Sequence, residues 1–403
     1  MIARDVIILG AGPAGLSAAA EFKRLGLRDI AVIDREAQPG GIPRHCGHLG
    51  FGLREFHRLM NGPHYARALA DAAGSTLSLG ITALRLEPGG TVQATGPHGP
   101  ETYRGKIVLL AMGARETPRS ARLISGTRPW GVMTTGALQQ FAYLKGKRPF
   151  QRPVVIGTEL VSFSSLTTMR HLGIKPVAMI EADSRITARR PGDLIARALF
   201  GVPVLLNTAL VRILGKERVE GVEVDRGQGA ERLDCDGVIF TGQFRPENAL
   251  LADSSIAIDR GTIGPAIDQY WRCSDPAFFA AGNLLRGIET AGQCWREGRA
   301  AARAIAASLG GRLPPPSAIP VETEGALKYV YPQRIAPGEA LDGAQLFKAR
   351  VTKAARGTLL VRADDKVIWS RRICALPERL LSWPVETPRL QGARTVTVAL
   401  EEA

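Results

Sequence analysis

The hydrophobic pattern changes period at several points along the chain. Residues 5–35 read DVIILGAGPAGLSAAAEFKRLGLRDIAVIDR: a continuous apolar run, a turn of small residues, apolar positions at helical spacing, then a second apolar run. Apolar runs bounded by turns mark strands buried on both faces and the 3.6 period marks a helix, so the segment predicts strand, helix and strand. The same succession returns at residues 153–182, PVVIGTELVSFSSLTTMRHLGIKPVAMIEA. Residues 107–113 and 238–242 each form an apolar run closing on a small-residue turn, and residues 277–283, AFFAAGN, lead into an alanine-rich helix after residue 289. The proline-rich stretch 310–320 cannot continue that helix. Beyond it, residues 346–373 alternate in strand fashion between glycine and Asp-Asp turns, and residues 394–400 make a last strand. The expected architecture is α/β. Two Rossmann-like folds occupy residues 1–120 with 241–310 and, inserted between them, residues 121–240. A linker at 311–320 leads to a small, mostly β domain at 321–403.

Between the first strand and helix stand Gly10, Gly12 and Gly15, a GxGxxG pattern, and Asp34 ends the second strand 24 residues after Gly10. Each position has a physical task. Gly10 allows the tight turn, Gly12 lets a pyrophosphate approach the backbone, and Gly15 lets helix and strand pack closely. The helix start offers unpaired N–H groups and a positive dipole, and Asp34 can accept hydrogen bonds from ribose hydroxyls. The second fold keeps the interval, since Glu181 follows Gly157 by 24 residues, but Glu159 and Ser162 stand where the fingerprint wants small residues. A carboxylate beside a pyrophosphate repels it by about 1 kcal/mol even in water. This second loop is expected to be a weakened NAD(P) site.

Composition narrows the classes. The 403 residues are 45% apolar and 22% charged, with 45 Gly and 26 Pro, which excludes wholesale disorder and fits a soluble enzyme of two or three domains. The net charge of +14 suits nucleic acid, a membrane surface or anionic ligands, and part of the excess is local: residues 115–148 hold seven basic residues and one acidic. No nucleic-acid-binding signature accompanies it, so no nucleic-acid partner is expected. Five cysteines, at 46, 235, 273, 294 and 374, give no CxxC pair, disulfide framework or metal set, and a reducing cytoplasm is the expected compartment. The uncharged stretch 6–20 is too short and too rich in glycine for a membrane span, and no transmembrane segment is expected.

With these motifs in order, residues 4–309 resemble the two-dinucleotide-binding-domain flavoproteins, the pyridine nucleotide-disulfide oxidoreductase-like family of glutathione and thioredoxin reductases. The resemblance implies FAD as cofactor. It would be held by Gly10, Ala11, Gly12, Pro13, Ala14 and Gly15, by Asp34 and Arg35, by the turn Gly40, Gly41 and Ile42, and by Ala83. It also implicates Ala111, Gly113 and Ala114 at the crossing strand, Gly282 and Asn283 at the ribityl chain, and Glu289, Thr290 and Ala291 at the start of the last helix. The family usually has Asp where Asn283 stands. The departure lies at residues 40–48, GGIPRHCGH, where the disulfide reductases place two cysteines and this chain has one, so no dithiol chemistry is expected there. GGIxxxCxHxGFG, GPxYA, ETPR and RPxGVMTTGA, at residues 40–52, 62–66, 116–119 and 128–137, look like the flavoprotein companions of glycerol 3-phosphate-type dehydrogenases. They are more distantly similar to the alpha subunits of opine and hydroxyproline dehydrogenases and hydrogen cyanide synthase. Those subunits commonly carry a cysteine-rich iron–sulfur region, and Cys374 alone cannot form one.

His45, Cys46 and His48 either form an acid/base and thiol group near the flavin, with Arg44 holding an anionic substrate, or simply line the loop. The basic stretch 115–148 either docks an anion or an acidic partner or is a solvated face. Three functions stand open. One is an FAD-dependent dehydrogenase or electron-transfer subunit for an amino-acid, opine or hydroxy-acid substrate, working with a partner dehydrogenase subunit. The others are an NAD(P)H-dependent flavin oxidoreductase and a flavin-bearing assembly subunit without turnover.

Overall fold

The computed structural model describes residues 1–74, 77–188, 191–287, 289–316, 319–336, 338, 346–384, 387–390 and 392–402. The chain opens with β1 (Ile2–Leu9), α1 (Pro13–Arg24) and β2 (Ile30–Asp34), and returns through β3 (Gly99–Leu110). The succession repeats with β4 (Pro153–Ile156), α2 (Leu160–His171), β5 (Ala178–Ile180) and the returning β6 (Gly237–Phe240). Then come β7 (Phe278–Ala280), the long α3 (Ala291–Leu309), and the strands of the last domain, among them β8 (Leu327–Tyr331) and β9 (Leu346–Val351). Among the described residues, no helix is long and apolar enough to cross a membrane.

Residues 1–41, 66–114 and 246–403 form one compact unit, and residues 42–65 with 115–245 a second. Segment 42–65 thus groups with the second fold, although it was expected in the first, and the C-terminal strands group with the first.

In the first unit β1 pairs in parallel with β2 on one side and β3 on the other, with Leu9 opposite both Ile33 and Leu110. β7 extends the sheet beyond β3. Val6, Ile7, Ile8 and Leu9 are all buried, as expected of a parallel strand covered on both faces, and Ile7 and Leu9 pack into a core of strand and loop residues. On one face α1 and α3 lie so close that a methyl group at Gly298 would sit 2.0 Å from the Ala14 carbonyl oxygen. That contact is fixed by Ser17, whose hydroxyl donates to the Trp295 carbonyl at 2.9 Å, and by Glu21, whose buried carboxylate receives Arg24, Arg299 and Arg303. Burial alone would raise the Glu21 carboxyl, but the three guanidinium groups outweigh it and hold it at about 2.

The C-terminal domain is β-rich, as expected. A five-stranded sheet and the three-stranded sheet of β8, β9 and Leu381–Pro384 enclose Phe347 stacked on Trp383. The proline stretch before it is held by Arg272, which donates to the Pro314 and Pro315 carbonyls while paired with the buried Asp268.

The second unit repeats the central order β5, β4, β6, all parallel, with Val132–Thr134 beyond β6 and Val204–Leu205 beyond β5. A separate four-stranded sheet accompanies it.

Candidate functional site: two glycine loops and a buried thiol

At the end of β1 the backbone of Gly10, at φ +111°, passes the crossing strand so closely that a methyl group there would lie 2.4 Å from the Ala111 oxygen. Gly15 is bound as tightly, 1.9 Å from the Gly10 oxygen by the same measure. Gly12 differs: a methyl group would meet only the Gly41 Cα, at 4.0 Å. Gly12 is also the N-cap of α1 and offers no side-chain cap, so the first-turn N–H groups of Ala14 and Gly15 start the helix uncapped behind Pro13. Gly40 and Gly41, at φ +118° and +61°, fold over this loop, with the Gly40 N–H donating to the Ala11 carbonyl at 2.7 Å. Asp34 ties the loop to β2, accepting from the Ala11 N–H at 2.6 Å and the Glu36 N–H at 2.8 Å. The result is an open, cation-like notch of backbone donors at a helix start, whose chemistry fits a dinucleotide pyrophosphate.

The other residues assigned by resemblance are scattered over several places. Gly282 sits against Ala14, and the Asn283 carboxamide bridges the main chain of Glu289 at 2.7 and 3.2 Å, which leaves one N–H and one lone pair for a ligand. Thr290 caps α3 through the Gln293 N–H, and Ala291 is its first residue. Gly113 has open space around it and accepts from the Glu247 N–H, and Ala114 follows it at the edge of the first unit. Ala83 packs against the core and Arg35 is exposed, while Ile42 belongs to the second unit.

The second loop is closed. Glu159 turns its carboxylate inward, accepting from the Thr241 hydroxyl at 2.7 Å and the Ser162 hydroxyl at 3.3 Å. There it fills the space between Gly157 and Gly242: a methyl group on either glycine would lie within 2.5 Å of its oxygens. Burial pushes this carboxyl up, against the Thr241 hydrogen bond and the Arg122 charge. Thr158 takes the place that Ala11 holds in the first loop, its hydroxyl donating to Glu181.

His45, Cys46 and His48 lie in the second unit, and the hydrogen bonds of the thiol and of His48 lead apart. The Cys46 thiol donates to the Ile42 carbonyl and Gln139 Oε1 at 3.4 and 3.5 Å, with Gly47 pressed against the Tyr143 ring. Burial and the nearby Glu116 charge push this thiol up to about 12, so it stays protonated at neutral pH. His45 is buried, whereas the His48 ring bonds the Leu49 carbonyl and stacks on Phe51. Sequence reasoning missed the buried carboxyl of Glu116, which accepts from the Gly136 N–H at 2.7 Å and is pushed up by burial. Its presence in the ETPR motif was the available signal.

Two members of the basic stretch are structural rather than free to dock an anion. Arg119 donates to the carbonyls of Ile124, Ser125 and Thr127, and Arg122 to those of Thr117, Thr241 and Gly242. Among the described residues, no group of three or more His, Cys, Asp or Glu is placed to hold a metal ion.

Known proteins resemble the chain in sequence and in fold. Residues 4–298 match the family pattern described as pyridine nucleotide-disulphide oxidoreductase. The chain is 27% identical over 358 residues to the sarcosine oxidase alpha subunit of Rhizobium meliloti (strain 1021), covering 83% of this chain but 33% of that protein. It is 28% identical over 342 residues to an opine oxidase subunit of the same strain, covering 76% and 71%. Among solved structures, T. acidophilum thioredoxin reductase superposes with a TM-score of 0.63 at 23% identity, over 77% of this chain and 99% of that one. L-proline dehydrogenase from P. horikoshii gives 0.56 at 20% identity, over 78% and 57%. These two establish the two-Rossmann fold.

Proposed function

The chain belongs to the pyridine nucleotide-disulphide oxidoreductase family, and from that premise we propose that it is an FAD-dependent dehydrogenase or electron-transfer subunit. The observation that carries this reading is the open notch at Gly12, roofed by Gly41 and set at the uncapped start of α1. When bound there, FAD supplies a two-electron acceptor for hydride from a substrate C–H bond. The backbone donors of Gly12, Ala14 and Gly15 would hold the pyrophosphate, Asp34 would orient the ribose, and the spare N–H and lone pair of Asn283 would serve the ribityl chain. The N-terminus of α3, from Thr290 and Ala291, offers positive potential to the electron-rich end of the ring.

The substrate proposed is a small amino acid, opine or hydroxy acid. The sarcosine oxidase and opine oxidase relatives are named as subunits, which supports a partner subunit here too. All five cysteines are free, and Cys46 is held as a thiol, which supports an electron acceptor outside the chain. Glu159 speaks against the second loop as an entry for NAD(P)H.

The test is a visible spectrum of the purified protein, followed by anaerobic mixing with NADH, NADPH and a panel of amino, imino and hydroxy acids. We expect a yellow protein bleached by one of the panel and not rapidly by NAD(P)H. Rapid bleaching by NADPH overturns the dehydrogenase reading, and a colourless protein that refuses FAD overturns the flavoprotein reading.

A further inference from the structure

The C-terminal β domain brings charge to the start of α3. Arg286, fully buried, donates two hydrogen bonds to Glu297 at 2.8 and 2.6 Å and a third to the Gly282 carbonyl at 3.0 Å. From β9, Lys348 reaches the same Glu297 carboxylate at 3.0 Å, and Arg350 reaches Glu289 at 3.1 Å. Arg286 and Lys348 both lie over the Tyr331 ring of β8, 4.8 and 5.5 Å from its centre. Burial alone would raise the Glu297 carboxyl, but Arg286 and Lys348 outweigh it and hold it near 2. Three cations thus face two carboxylates in a site with little water to screen them. The Tyr329 and Tyr331 hydroxyls are also buried there without an acceptor among the described residues. The cluster carries an excess of positive charge and spare donors, close in the chain to Asn283, Glu289 and Thr290.

We propose that Lys348 and Arg350 are positioning residues that set the reduction potential of the bound FAD, by neutralising Glu289, just before α3, and Glu297, in its second turn. The inference rests on the FAD reading above. Hydride arrival brings one proton and two electrons, so the reduced cofactor carries one more negative charge than the oxidised form. Any cation held near that end therefore favours reduction and any uncompensated carboxylate opposes it. The C-terminal domain then acts on the chemistry through charge, beyond any part it plays in stability.

The test compares holoenzyme carrying K348M, K348R or E289Q with the parent, by anaerobic dithionite titration against reference dyes, with FAD content and thermal midpoint measured in parallel. K348M is expected to lower the reduced-to-oxidised ratio at a fixed potential by about tenfold, which is about 30 mV for a two-electron couple. K348R should restore the parent value, and E289Q should shift it the opposite way. Should K348M not fold, R350Q at the more exposed pair carries the same expectation as K348M. Potentials unchanged in a yellow parent and its variants overturn the inference alone, as does a shift of the same sign in K348M and E289Q. A parent that never takes up FAD overturns the functional reading and the inference together.

Discussion

The two glycine loops share one frame and end in opposite states. Each follows a buried parallel strand, opens a twelve-residue helix, and is tied to an acid 24 residues downstream, Asp34 in one and Glu181 in the other. At Gly12 the frame leaves an uncapped helix start with nothing but the Gly41 backbone near it. At the second loop Glu159 folds into the corresponding space and is buried there by Thr241 and Ser162. The same architecture therefore stands around an open loop and a filled one, because the strands and helix are held by their own cores.

The largest effect that would separate the loops comes from G12V. A branched side chain in the open notch should cut FAD occupancy about a hundredfold, roughly 2.7 kcal/mol or the worth of two charge-assisted hydrogen bonds, as read by flavin absorbance per chain. E159Q, at the matching region of the second fold, should leave flavin content unchanged. A second change probes the brace that keeps the first loop's helix in place. E21Q should cost about 1–3 kcal/mol in chemical denaturation at pH 7, because Arg24, Arg299 and Arg303 lose a shared carboxylate. Since the folded carboxyl of Glu21 is depressed to about 2, its contribution is present above about pH 4.5 and lost as pH falls toward 2. Parent and E21Q should therefore converge in that acid window.

Glu159 has the opposite sign. Its carboxyl is raised by burial, so the folded form binds more protons than the unfolded one, and stability falls as pH rises past the ordinary carboxylate range. E159Q should thus be more stable relative to the parent at pH 8 than at pH 4, a smaller effect that thermal melts at the two values would resolve. Smallest of all should be C46A. With the thiol held protonated, turnover should stay within about threefold of the parent and alkylation of Cys46 should be slow at pH 7.5. A loss of about a hundredfold would restore the thiol to the chemistry.

Much of this was legible in the chain. Glycine spacing, strand-to-helix periodicity and a terminal acid are local features, so the two folds, their order, the β-rich ending and the first loop could be read directly. The damage at Glu159 was legible as a repelling charge. Its inward fold was not, because the partner that buries it, Thr241, stands 82 residues away. The same limit hid the cluster at α3: nothing in the alternation of residues 346–351 says that Lys348 meets Glu297 or that Arg350 meets Glu289. Segment 42–65 grouped with the second unit for a similar reason. There the Cys46 thiol meets Gln139, 93 residues on, a contact that spacing along the chain does not encode.

One glycine loop left open and another closed by its own side chain have a countable consequence. It is the dinucleotide bound per chain after saturation with FAD and NADPH and removal of excess, quantified after denaturation. We expect about one equivalent, all of it FAD and lost in G12V. Two equivalents, or NADPH still retained in G12V, would mean that the second loop is open after all.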